Sequence, residues 1–171
     1  MDEYMVILRL IHIFGGIVWV GSAWFMTFLL GPAVRALGQD GQVFMRGFVK
    51  KSPAPLVMVS SSLLTTVSGL LLYYRVSDGF NSDWMASTAG VVLTIGSLAG
   101  FGEFLYGNAV IGPTTKNLGA LGDEIEQQGG PPTEGQMARL RALQGRMHTA
   151  DRVSTILLVI AVAGMAGARY M

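Results

Sequence analysis

Four stretches of the chain are apolar and nearly free of charge: about 4–30, 53–75, 88–111 and 149–171. A membrane-crossing helix needs roughly 20 mostly apolar residues, and each stretch meets that length. The runs are too long for strands and lack the two-residue alternation of a membrane barrel. The pattern predicts an all-α integral membrane protein, a four-helix transmembrane bundle forming a single domain over 1–171. The chain opens Met1-Asp2-Glu3 with no basic segment and no small-residue cleavage site. The first span is therefore expected to be retained and not removed as a signal peptide.

Charge refines this picture. Only 13% of the 171 residues are charged, against roughly 25% in soluble domains. The formal net charge is +1, which excludes the strong basic field of a nucleic-acid binder. There is no cysteine, so disulfides, thiolate metal centres and cysteine nucleophiles are excluded. Arg35, Arg46, Lys50 and Lys51 fall in the first connection, and Lys116, Arg139, Arg141 and Arg146 in the third, with Arg152 just inside the last span. The second connection has Arg75 alone, beside Asp78 and Asp83. The positive-inside rule then predicts connections one and three in the cytoplasm and both termini outside, in a bacterial inner membrane. Tyr4, Tyr73, Tyr74, Trp84 and Tyr170 fall at the opposite interface, where aromatic rings are favoured.

The bundle is expected to consist of two tandem helical hairpins. Gly31-Pro32-Ala33-Val34-Arg35-Ala36-Leu37-Gly38 matches Gly112-Pro113-Thr114-Thr115-Lys116-Asn117-Leu118-Gly119 at an offset of 81. Val67-Ser68-Gly69 lines up with Val162-Ala163-Gly164 at an offset of 95, and the difference equals the 14 residues from Gly122 to Gly135. The second half thus reads as the first with a longer tip, over about 114–148. Leu118, Leu121 and Ile125 carry an apolar stripe out of the third span. Thr133 and Gln136 fit a capping box, and Met137, Leu140, Leu143 and Met147 have helical spacing into the fourth. Asp123, Glu124 and Glu126 are expected to face Arg139 and Arg141 across this tip.

In lipid, helices associate through small residues and polar contacts. His12, Gly15, Gly16, Trp19, Ala23 and Met26 share a face of the first span. Ser61, Ser62, Thr65, Thr66 and Gly69 mark the second, Gly96, Gly100, Glu103 and Gly107 the third, and Ala161, Gly164, Gly167 and Ala168 the fourth. Of the ionisable residues within spans, His12 and Glu103 most need an explanation, because a charged group there costs roughly 2.5–3.5 kcal/mol on insertion scales. His12 lies about 12 Å from the outer end of its span by helix rise. It is either a metal ligand or a neutral imidazole bonded to a hydroxyl or carbonyl of another helix. Glu103 lies about 12 Å from the inner end. It stays neutral, pairs with Arg152, or relays protons. His148 is expected roughly 20–25 Å from His12 along the axis, too far for the two to hold one haem iron. The ten methionines are dispersed, as core filler is.

The stretch from Leu8 to Phe25, with His12 followed by Trp19-Val20-Gly21, resembles the opening span of the copper-resistance D type membrane family and its small four-span relatives. It is more distantly similar to the bacterial haem-containing protoporphyrinogen oxidases, whose first span ends in a Pro followed by a basic residue, as Gly31-Pro32 and Arg35 do here. The resemblance implies haem b or copper on His12, with Gly16 and Trp19 beside it, for electron transfer or metal handling. Those oxidases pair their His with a Lys in a later span. The third span here has no Lys, and Glu103 is the nearest polar group. The alternative is a cofactor-free structural or accessory subunit of a larger membrane complex. The expected partners are the lipid bilayer and either other membrane subunits or further copies of the chain.

Overall fold

A computed structural model describes residues 3–171. Among them there is no strand. The helices are α1 (Glu3–Trp24), α2 (Gly31–Ala36), α3 (Gly38–Lys51), α4 (Ala54–Val76), α5 (Ser82–Ala86), α6 (Thr88–Tyr106), α7 (Gly112–Gln128) and α8 (Glu134–Gly167). Four continuous helical stretches are long and apolar enough to cross a membrane: Glu3–Ala36, Ala54–Val76, Thr88–Gln128 and Glu134–Tyr170. α1 packs along α4, and α6 along α8, while α4 also touches α6.

The repeated Gly-Pro has a structural cause. Proline has no N–H, and its ring collides with the carbonyl four residues earlier in an unbroken α-helix. The chain answers by widening. A π-helical segment, Phe25–Leu30, joins α1 to α2, and a second, Gly107–Ile111, joins α6 to α7. In each the following glycine N–H reaches back five residues, Gly31 to the Met26 carbonyl and Gly112 to that of Gly107. The two segments end 81 residues apart, at Leu30 and Ile111, which is the offset of the sequence repeat. The extra residue rotates the downstream helix by about 100° relative to an unbroken α-helix.

The first connection is itself helical. Gly38 has φ +56°, a left-handed conformation that glycine adopts freely. It turns the chain from α2 into α3. A side chain at Gly41 would run into the Val34 carbonyl, so glycine there lets α3 fold close against the end of α2. At the opposite end of the bundle, Asp78, Gly79 and Phe80 have φ of 50°, 73° and 66°. The Ser77 hydroxyl accepts the Phe80 N–H at 3.0 Å, and the Phe80 ring lies 5.9 Å from Tyr73 and 5.4 Å from Tyr74. Trp84 meets Tyr73 edge-on at 5.9 Å, and the Tyr73 hydroxyl bonds that of Thr94 on α6. Asn81 caps α5, Ser87 caps α6, and Thr133 with Gln136 forms a capping box on α8.

The acidic residues of α7 are distributed differently from the expected pairing. Glu124 reaches Arg139 at 3.3 Å and accepts from Gln136 at 3.0 Å. Asp123 instead pairs with Lys50, and Glu126 lies 3.4 Å from Arg46. Arg46 also donates to the Gly122 carbonyl, and it occupies the space a side chain at Gly122 would fill. Arg141 forms no salt bridge among the described residues. The cause is α3, which brings Arg46 and Lys50 alongside the tip. The tip charges therefore tie the first half to the second.

Candidate functional site

His12 sits between α1 and α4, half-buried. Its Nδ1 donates to the main-chain carbonyl of Thr65 at 2.9 Å. A carbonyl only accepts, so the proton is on Nδ1, and in the neutral ring Nε2 keeps a lone pair. The ring rests in a notch made by Gly69. A Cβ on that glycine would stand 2.7 Å from His12 Cε1. One turn on, a Cβ at Gly15 would stand 2.6 Å from Thr65 Oγ1, so the two faces interlock: imidazole into glycine, then glycine against threonine. Thr65 Oγ1 turns back to the Ser61 carbonyl at 2.7 Å, which satisfies its proton within α4. Of the residues implied to accompany His12, Gly16 lies open to the Thr65 methyl and Trp19 is buried in α1.

The second pair has its own polar contact. Glu103 is 3% exposed, and Ser154 Oγ donates to its Oε1 at 2.6 Å. Oε2 has no hydrogen-bond partner among the described residues. Of the alternatives for Glu103, the ion pair with Arg152 is not formed among the described residues. Arg152 precedes Ser154 by two residues, about 200° around the helix, and its side chain is exposed. Toward the other end, Gly96 and Gly164 bring the two backbones together: a Cβ at Gly96 would stand 3.0 Å from Gly164 Cα. Gly100 faces Ala161 and Met165. Gly107 and Gly167, read as parts of the same faces, meet no neighbour.

Two cavities accompany these helices. One, of about 560 Å³, is lined by α1, α3 and α4 residues including Val18, Phe48 and Met58, and His12 is absent from it. The other, about 340 Å³, is lined by Thr27, Arg35, His148, Asp151, Arg152, Thr155 and Ile156. His148 thus lines this second groove, whereas His12 lines neither cavity.

The fit to a metal follows from the donors. No group of three or more His, Asp or Glu able to hold an ion exists among the described residues. His12 offers one donor atom, Nε2. That does not fit a copper centre enclosed by protein ligands. Its donor chemistry would suit a group held by a single imidazole, since an Nδ1–H bonded to a carbonyl is the orientation a ligating histidine takes, and His12 lines neither cavity.

No family model matches the chain, and neither a curated protein nor a solved structure matches it.

Proposed function

We propose that the chain is an integral membrane protein of two tandem helical hairpins, acting as a cofactor-free structural or accessory subunit of a larger membrane complex. The observation that supports this is the use already made of His12. Its Nδ1 is committed to the Thr65 carbonyl and its ring fills the Gly69 notch, so the imidazole joins two helices. The matched π segments support the duplication. Connections one and three, with their basic residues, face the cytoplasm on this reading. Absence of native cysteine makes the orientation directly testable, because single cysteines placed at Asp78 and Lys116 should label from opposite sides of the membrane. The subunit reading is tested by native electrophoresis of mildly solubilised membranes. A band well above the protomer mass is expected, and migration as a lone protomer overturns it.

A second reading rests on Nε2, which is left without a hydrogen bond while Nδ1 is oriented as in a ligating histidine. On that reading haem b is held by His12 with Trp19 and Gly16 nearby, in a protein of the copper-resistance D-like type. Bound there, haem supplies electron transfer, and the chain's part is to fix the imidazole through Thr65. Absorption spectra of the purified protein, oxidised and reduced, separate the two readings. A Soret band lost in His12→Ala favours haem, and its absence from protein purified from haem-replete cells favours the accessory subunit.

A further inference from the structure

The cavity between α2 and α8 differs in kind from the apolar one. Two guanidiniums from helices far apart in sequence, Arg35 and Arg152, line the same space of about 340 Å³, within the size range of small-ligand sites. Neither forms a salt bridge among the described residues. His148 adds a third nitrogen base. Asp151, the one acid in the lining, offsets one of the two arginines, so the lining carries a formal +1 with His148 counted as neutral. The π segment contributes to this placement. It rotates the chain after Leu30, and Thr27 and Arg35 come to line one groove although they are eight residues apart.

We infer that this groove holds the phosphate of an anionic phospholipid. The inference rests on the membrane reading above. On that reading Arg35 lies just past the end of the first span and Arg152 at the start of the fourth, which is headgroup depth. Basic recesses between membrane helices on the cytoplasmic side suit acidic headgroups. One turn below Arg152 the lining reaches exposed Ile156, an apolar contact for an acyl chain that a free phosphate does not need. The Thr155 hydroxyl is already satisfied, donating to the Asp151 carbonyl at 2.8 Å, so recognition falls to the arginines and His148, with the Thr27 hydroxyl beside them.

The test is lipid binding to the purified full-length chain by native mass spectrometry, with phosphatidylglycerol and phosphatidylcholine as probes. Wild-type protein should prefer phosphatidylglycerol. Arg35→Gln and Arg152→Gln should each weaken its binding about fivefold, while Arg139→Gln at the distant tip leaves it unchanged. Arg35→Lys, which keeps the charge, should retain most of the preference. Equal affinity for the two lipids overturns the inference, and so does a preference that survives loss of both arginines. Displacement of phosphatidylglycerol by millimolar inorganic phosphate makes this a soluble-anion site and also overturns it. Alkaline carbonate extraction separates the two readings: release of the chain from membranes defeats the membrane assignment itself, whereas retention without lipid preference defeats only the headgroup site.

Discussion

Replacing Gly69 with alanine tests the interlock of α1 and α4. The new Cβ would stand 2.7 Å from His12 Cε1 and 3.1 Å from Nδ1. Carbon pairs settle at roughly 3.5–4.0 Å, so the ring must retreat by about 1 Å. That takes the 2.9 Å bond to the Thr65 carbonyl out of hydrogen-bonding range. An interhelical hydrogen bond in a membrane averages about 0.6 kcal/mol and reaches about 1.7. Overpacking costs roughly 1–3 kcal/mol, and alanine returns about 1 kcal/mol of helix propensity. The expected net loss is about 1–3 kcal/mol, read by titrating the protein with dodecyl sulfate in mixed micelles and following helicity. The decisive arm is the double variant. In His12→Ala the obstacle is gone, so Gly69→Ala should become neutral or slightly stabilising. Equal cost in both backgrounds would refute the interlock.

Three further outcomes are expected. Gly164→Ala should destabilise more than Gly69→Ala, because its Cβ meets the Gly96 backbone at 2.8 Å and only helix separation relieves it. Gly167→Ala, with open space around it, is the control in the same titration. Ser154→Ala should cost about 1–3 kcal/mol by stranding the Glu103 carboxyl, whereas Glu103→Leu combined with Ser154→Ala should recover most of that loss. Thr133→Ala should lower stability by about 0.5–2 kcal/mol through loss of the α8 cap, seen as faster amide exchange in 134–140.

The spans are legible in the sequence because length and hydropathy are local properties. So is the capping box, since Thr133 and Gln136 carry their own geometry. The Gly-Pro repeat is visible as a pattern, but its meaning is not. Only the folded chain reveals that proline is accommodated by a π turn. α3 is hidden because its basic residues read equally well as orientation signals in a loop. Without α3, Asp123 and Glu126 have no partner but Arg139 and Arg141, so the tip pairing is lost with it. His12 and Glu103 stand out by composition alone. Their partners, Thr65 and Ser154, do not, because which helix meets which is decided by packing over the whole chain. Proximity along the axis points Glu103 to Arg152. Azimuth, which separates Arg152 from Ser154, decides the contact.

The two halves are fastened to each other at opposite ends by unlike means. At one end a phenol meets a hydroxyl, Tyr73 to Thr94. At the other, Lys50 and Arg46 grip Asp123 and Glu126, with Lys50 and Glu126 well exposed. Added electrolyte screens the second fastening and leaves the first untouched. Rising ionic strength should therefore loosen the charged end first, while the phenol end holds its register.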